Sequence, residues 1–406
     1  MTGRSIVVTL ALMSLSLSVA TPGVAQVNRY TPVTDAMLQN PSPGDWLMWR
    51  RTLDGWGYSP LDQIDRENVG ELQMVWSRAL TRGSNQGTPL VYDGVMYMPN
   101  PGDVIQAIDA VSGDLQWEYR REHPEDLGEH IVAVLSQINR NIAIHGTLII
   151  DTSADDYVFA LEATSGRLVW ETQILDYKTL PAHQSSGPII ADGKIISGRG
   201  CMPEAGPNAC VITAHDARTG AELWRRRTIP APGEPGDETW GDVALEDRRH
   251  VGAWMVPSFD PQLNLIYIGT SVTSPAPKFM VGGIDNKHLY HNSTLALDAD
   301  TGEIEETNVA CRLLDCSTAR CSDYPNRKAF VPDCLQLTPS LAGKLPWLPE
   351  TCAYRRRAEG EPLPRWHYLL TGSREDVHLA GAGAAGRVIS ETKAGPLEHH
   401  IVEWSD

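Results

Sequence analysis

Apolar and polar positions alternate along four stretches of this 406-residue chain, and all four follow one pattern. They are VIQAIDAVSGDLQW (Val104–Trp117), YVFALEATSGRLVW (Tyr157–Trp170), VITAHDARTGAELW (Val211–Trp224) and STLALDADTGEIEE (Ser293–Glu306). The alternation predicts a strand, the Asp/Thr/Ser/Gly cluster a tight turn, and the next residues a return strand ending on Trp. Gly113, Gly166, Gly220 and Gly302 mark the turns, at intervals of 53, 54 and 82 residues. A repeat of this length built from strands predicts a propeller or a solenoid. Thr88–Tyr97 and Ser186–Ile196 read as hairpins turning at Asp93-Gly94 and Asp192-Gly193, and Pro257–Ile268 as a third with a longer turn. Each hairpin precedes a copy of the repeat, giving about four strands per unit, the make-up of a propeller blade. The recurring Trp residues are accordingly read as packing between neighbouring blades. The long interval holds an insertion, Pro230–Gly252, expected as a loop on one face of the ring. Ahead of the repeats, Asp45–Arg50, Gly55–Ile64 and Asn68–Trp76 set many aromatics between turn residues, which predicts an ordered leader packed against a sheet.

Composition supports an all-β protein with a large core: 42% of residues are hydrophobic, and 35 Gly and 28 Pro supply the turns. A net charge of −17 gives nucleic acid no electrostatic footprint. At the N-terminus Arg4, the apolar run Ser5–Ala20 and the small residues Gly23-Val24-Ala25 predict a secretory signal peptide over residues 1–25. No window is apolar for long enough to span a bilayer, and no Cys follows the expected cleavage site to carry a lipid. The expected compartment is an oxidising one, a bacterial periplasm. Cys201 and Cys210, the only cysteines before residue 311, bracket the turn-rich MPEAGPNA and are expected to form a loop-closing disulfide.

The opening DGWGYSPLDQIDRENVGELQMVW and the A-x-D-A-x-T-G-x-x-x-W repeats resemble the pyrroloquinoline-quinone (PQQ) dependent alcohol dehydrogenases over about residues 40–304. That resemblance implies an eight-bladed quinoprotein propeller that oxidises an alcohol by hydride transfer to an ortho-quinone. It implies a bound Ca²⁺ or lanthanide ion and transfer of electrons to a soluble cytochrome c. Residue by residue it points to Glu204, between Cys201 and Cys210, as a carboxylate metal ligand. The second protein ligand is usually an Asn; here GTSVTSPAP (Gly269–Pro277) has none, and Thr273 or Ser274 is the available oxygen. Trp240 resembles the Trp that stacks beneath the quinone, and its position among Gly and Asp residues suggests few packing partners of its own. Thr239 and Thr152 are placed to contact cofactor carboxylates, Arg140 to lie near the quinone oxygens, and Gln86 where relatives often carry Glu. Pro124–Ser136 lacks the adjacent Cys pair of many such enzymes, and no C-x-x-C-H is present for a covalent haem.

The pattern stops at Glu305-Glu306, where Glu306 takes the place of the repeat's Trp. The W-D-x-D segment that carries the family's proton-abstracting Asp is absent, so no catalytic base is assigned. Five of the seven Cys follow (Cys311, Cys316, Cys321, Cys334, Cys352), with Arg355–Arg357 and the small-residue run Ala380–Gly386. The division is therefore a signal peptide (1–25), a partial propeller of about half the blades (26–304) and an atypical, irregular tail (305–406). Two explanations of the tail compete. It is either a separate Cys-bearing metal or disulfide module, although C-x₄-C-x₄-C without interleaved His is a poor zinc pattern, or an out-of-register translation, which the abrupt loss of pattern favours. The expected consequence is weak PQQ binding and little or no turnover. From another functional class, the alternative is a non-enzymatic propeller that scaffolds outer-membrane assembly.

Overall fold

A computed structural model describes residues 30–132, 138–271, 288–305 and 307–331, and from there to 402 all but 332, 333, 335, 339–341, 343–347, 349 and 350. The repeats fold as the alternation predicts. Blade one is the antiparallel sheet β1 (Leu90–Tyr92), β2 (Val95–Asn100), β3 (Val104–Asp109) and β4 (Leu115–Arg120). Blade two is β5 (Ala143–His145), β6 (Leu148–Thr152), β7 (Tyr157–Glu162) and β8 (Leu168–Gln173). A two-stranded ladder, β9 (Ala182–His183) with β12 (Gly200–Cys201), flanks blade three. That blade is β10 (Ile189–Ala191), β11 (Lys194–Gly198), β13 (Val211–Asp216) and β14 (Glu222–Arg227). Blade four has three strands, β15 (Ser258–Asp260), β16 (Leu265–Gly269) and β17 (Thr294–Asp298). The sequence reading passed over the β5–β6 hairpin, which turns at Gly146.

Local chemistry explains the turns. Asp93 and Gly94 (φ 48° and 77°) and Asp192 and Gly193 (φ 49° and 72°) close two-residue loops between Tyr92 and Val95 and between Ala191 and Lys194. Both central residues are left-handed, the turn whose twist matches that of paired strands. In the repeat, the Asp carboxylate folds the turn on itself: Asp216 Oδ1 accepts from the Arg218 and Thr219 amides at 3.1 and 2.7 Å. Asp109 and Asp298 do the same at 2.8–2.9 Å. Each complete blade also carries an irregularity between its third and fourth strands, at Ala107/Ile108, Ala160/Leu161 and Ala214/His215.

The repeated Trp and Gly form a relay from blade to blade. Trp117, on the last strand of blade one, lies on Gly166 of blade two; Trp170 lies on Gly220 of blade three; Trp224 lies on Gly302 of blade four. A Cβ at any of these glycines would fall 2.5 Å from the indole, and all three have φ between 70° and 75°. Trp117 and Trp224 complete the contact by donating Nε1 to Ala163 O and Ala299 O, at 2.9 and 3.0 Å. The reading of these tryptophans as inter-blade packing is what the structure contains. Between blades three and four the relay joins a buried layer that includes Ile196, Ile212, Phe259, Ile266 and Leu297.

Blade four ends short. Leu297 makes an isolated bridge to Ile304, and the Glu305 amide donates to Ala296 O at 3.2 Å. No fourth strand follows among the described residues. The leader differs from expectation. Its first part is packed: Trp46 bridges Val91, and Leu47, Met48 and Leu53 are buried. From Trp56 onward much of it is exposed, Trp56, Met74 and Val75 at 76%, 83% and 84%, although Trp76 packs on Gly113. The apolar pattern there marks a surface that nothing described covers. Pro230–Gly252 is an irregular insertion with short 3₁₀ turns at Asp237–Trp240 and Leu245–Asp247, as expected. The tail's described residues form short helices (Ala353–Ala358, Tyr368–Thr371, Asp376–Leu379) and short strand pairs such as Val309–Ala310 with Ile389–Ser390. Among the described residues no helix is long and apolar enough to cross a membrane.

The relay predicts a specific mutational contrast. Gly94→Ala, at φ 77° with nothing within 4 Å of the new Cβ, should cost only the left-handed penalty of roughly 1–2 kcal/mol. Gly166→Ala adds the clash with Trp117 and should cost roughly 1–3 kcal/mol more. Urea unfolding of both variants against the parent checks this, and equal losses would mean that the indole contact is dispensable.

Candidate cofactor site

Thr152, the last residue of β6, is buried and donates its hydroxyl to Gln184 Oε1 at 2.9 Å. Gln184 in turn donates to Gly198 O at 2.6 Å. Arg140 donates Nη1 to Ser185 O at 2.7 Å, and its guanidinium lies 5.1 Å from the centre of the Trp254 ring. Two predicted cofactor contacts thus converge on one segment, His183–Ser186. His183 is held by the β9–β12 ladder opposite Gly200, where a Cβ would sit 2.0 Å from its Nε2. Next to it the expected Cys201–Cys210 disulfide is formed, with Cα atoms 4.9 Å apart. His250 Nδ1 donates to Cys201 O at 2.6 Å, so this loop is tied to the insertion.

The polar atoms gathered here are not all satisfied from within. His183 Nδ1, Ser186 Oγ and Asn141 Oδ1 are buried with no hydrogen-bond partner among the described residues. Buried polar groups normally find partners, and each orphan costs roughly 1–3 kcal/mol. Three orphans beside an arginine suit a polar, anionic guest. Burial, reinforced by the positive charges of His250 and Arg140, pulls the His183 imidazole down to about 4. It is therefore neutral at pH 7, with one ring nitrogen able to accept. Burial also lowers Arg140, but a guanidinium keeps its charge at any ordinary pH.

The other predicted residues stand differently. Trp240 is fully buried: its Nε1 donates to Leu289 O, and the rings of His288 and His291 lie at 4.7 and 5.5 Å. Arg248 covers it at 5.5 Å. The expectation was of few local packing partners for Trp240, and its ring partners His288 and His291 come from the distant segment ahead of β17. Thr239 spends its hydroxyl locally, donating to Gly236 O at 2.6 Å and accepting from the Leu289 amide at 2.9 Å. Glu204 is exposed in the 3₁₀ turn Pro203–Ala205. Gln86 is exposed and donates to Ser84 Oγ at 3.0 Å. Thr273, like Ser274, lies outside the described residues.

The sequence reading missed His183, Gln184, Ser186, His250 and Trp254. The available signal was the polar run HQSS set against the apolar hairpin that follows it. A second cluster, Asp103, His123 and Asp155, has ligand atoms within 4.8 Å of one another. Its carboxylates are already engaged. Asp103 Oδ2 takes the Ala154 amide at 2.7 Å and faces His123 at 2.8 Å, while Arg121 forks both Asp155 oxygens at 2.7 and 2.9 Å. It reads as a clamp between the first two blades.

This geometry meets its match among known proteins. The β-propeller domain of the PQQ glucose/ethanol/alcohol dehydrogenases matches residues 46–305. The chain belongs to this PQQ alcohol dehydrogenase family. The dehydrogenase subunit of alcohol dehydrogenase (quinone) from Komagataeibacter europaeus is 34% identical over 283 residues, 64% of this chain and 38% of that protein. The solved quinohemoprotein alcohol dehydrogenase ADHIIG of Pseudomonas putida superposes with a TM-score of 0.60 at 31% identity, covering 68% of this chain and 42% of the enzyme. The quinoprotein portion thus spans well under half the length of the relatives it matches.

The end of the chain has a separate likeness. A domain family whose proposed role is zinc or iron chelation matches residues 278–353. The UPF0260 protein of Rhizorhabdus wittichii is 54% identical over 106 residues, 26% of this chain and 73% of that protein. At that coverage the chain belongs to the UPF0260 family as well. An out-of-register translation would not resemble a natural family, so that explanation of the tail is overturned. The chelating family is labelled by the pattern C-x-x-C-x-x-C-C, and this chain contains no C-x-x-C at all. Among the described residues no tail cysteine joins a cluster that could ligate a metal. The residues present therefore do not fit that ion.

Buried imidazoles make stability depend on pH. His183, His215 and His291 are each pulled down to about 4, chiefly by burial. Between about 6.5 and 4 the unfolded chain binds the extra protons, so stability falls as pH falls through this window. Burial pushes Asp156 up to about 7 and raises Asp151 well above the usual carboxylate range, and both work in the opposite sense. Each imidazole is expected to lose up to about 3 kcal/mol on acidification. In urea unfolding at pH 7.5, 6 and 4.5, His183→Gln should lose less stability on acidification than the parent; an equal or larger loss in the variant rules the assignment out.

Proposed function

We propose that this chain binds PQQ at the His183–Ser186 segment and is a poor alcohol dehydrogenase. The observation that carries the reading is the convergence of Arg140 and Thr152 on a segment with orphaned buried polar atoms. Arg140 would pair with anionic oxygens of the cofactor, held in place by Ser185 O and the Trp254 face. Thr152 would turn its hydroxyl from Gln184 to a cofactor carboxylate, and neutral His183 would accept a hydrogen bond at its free nitrogen. Trp240 would form a wall of the site after His288 or His291 shifts, with Thr239 fixing its loop. Glu204 and Thr273 are the proposed oxygen donors to a Ca²⁺ or lanthanide ion, and Gln86 an outer polar contact.

When bound, PQQ supplies an ortho-quinone that takes hydride from the carbinol carbon. The protein's part would be to orient the alcohol and accept its hydroxyl proton, and for that no carboxylate is assigned. Asp151 and Asp156 are fully buried, with burial raising both toward their neutral forms. Asp151 is engaged by Asn139 at 2.6 Å and Asp156 by Arg199 at 3.1 Å. The Cys201–Cys210 disulfide supports the proposal of an oxidising, periplasmic location, and a soluble cytochrome c is the proposed electron acceptor.

Quenching of tryptophan fluorescence on PQQ addition tests the site. Arg140→Ala should weaken binding by about tenfold or more, as expected for a charge-assisted contact worth ~1.5–3 kcal/mol; Arg140→Lys should recover part of it. Absence of quenching, or no change in Arg140→Ala, overturns the site. Alcohol oxidation with PQQ, Ca²⁺ and an artificial acceptor should stay near background; turnover equal to that of a full-length relative would show that a base has been missed.

A further inference from the structure

We propose that two copies of this chain associate head to tail, the leader segment Leu72–Leu80 of one copy supplying the missing fourth strand of blade four in the other. The strand inventory points to it. Three blades have four strands, blade four has three, and one extended segment belongs to no sheet. That segment nevertheless carries a fourth-strand tryptophan. Trp76 lies on Gly113 of blade one, where a Cβ would fall 2.6 Å from the indole, and donates Nε1 to Ala110 O at 3.2 Å. Trp117 and Trp224 make the same contact from the last strand of a preceding blade. Trp76 makes it with no preceding blade among the described residues.

The two ends are complementary. In the leader, residues 73–80 make no backbone–backbone hydrogen bond among the described residues, and Leu72, Met74 and Val75 are exposed at 61%, 83% and 84%. A contiguous apolar stretch of this kind marks an interaction surface. At the other end, the outer side of β17 is taken only at Leu297 and Ala296, by Ile304 and Glu305. Glu306 lies outside the described residues, and Thr307 bridges Ile401. Beside Thr294 and Leu295 the edge is open among the described residues, and the Trp that should staple the next blade is Glu306. Adding a strand to an open edge is a recurrent way for β-proteins to associate.

A surplus strand at one end and a deficit at the other make a heterologous contact, which closes only if the rotation closes. The chain covers 42% of the ADHIIG enzyme, so two copies approach one whole ring, whereas three overshoot it. This selects a closed pair rather than a fibre. The inference does not depend on PQQ binding.

Sedimentation velocity of the full chain over a range of concentrations tests it, with a discrete dimer expected. Val75→Pro removes a ladder donor from a residue that makes no backbone bond of its own, and should weaken association by about tenfold or more. Thr294→Lys places a charge on the receiving edge and should act likewise. Each variant keeps one good end, so mixing the two should restore a heterodimer through one intact contact, read by native mass spectrometry. Monomer at every concentration, a dimer indifferent to both variants, lengthening fibres, or no rescue on mixing would each overturn the proposal. An unchanged far-ultraviolet spectrum for each variant excludes misfolding as the cause.

Discussion

The contact between a tryptophan and the glycine of the next blade is the constraint on which the rest of the structure depends. Each blade is a four-stranded sheet or nearly so, with little to fix it to its neighbour except facing apolar sides. The indole occupies the space that a Cβ would need, at a turn that already demands a left-handed residue. Sterics and backbone conformation therefore select glycine together. Because the tryptophan ends one repeat and the glycine turns the next, the contact also sets direction: every blade holds its successor. Arg140, Thr152 and His183 come from different blades and connections, and they meet only because this relay fixes the angle between sheets.

The candidate site shows what such a scaffold can and cannot carry in part. Residues supplied by blades two and three, and by the connection between them, are in place and mutually bonded. The insertion after blade three carries Trp240, whose surroundings are completed by Arg248 of the insertion and by His288 and His291 ahead of β17. A group that would come from farther along a propeller has no counterpart, and the mismatch between the tail's cysteine spacing and the pattern of its own family is of the same kind. Each half of the chain carries the architecture of its family more completely than its chemistry.

The blades were legible because alternation, Asp-Gly turns and the repeat period are local, and each reports a backbone geometry directly. The disulfide was legible because Cys201 and Cys210 are the only cysteines before residue 311 and bracket a turn-rich loop. Burial was harder to read. Trp240 sits between small and acidic residues in sequence, yet its partners His288 and His291 lie some fifty positions away. His183 and Ser186 looked like ordinary polar residues before a hairpin, and only the ladder with Gly200 shows them enclosed. The leader failed in the opposite direction: its aromatic pattern is that of a packed segment, yet Trp56, Met74 and Val75 stand exposed beside the packed Trp76.

The place where the pattern breaks explains why four blades can stand at all. The two family likenesses overlap over residues 278–305, so the change from one to the other falls inside the fourth repeat. It falls after the turn that contains Gly302 and before the tryptophan that would follow. Blade four therefore still receives Trp224 from blade three, and its buried layer with Phe259, Ile266 and Leu297 is intact. What is lost is the fourth strand, among the described residues, and the tryptophan whose place Glu306 takes in the sequence. A break a few residues earlier would remove the glycine and leave Trp224 unsupported, exposing the side of blade three. Sited where it is, the change costs the arc its forward staple and leaves every backward one in place.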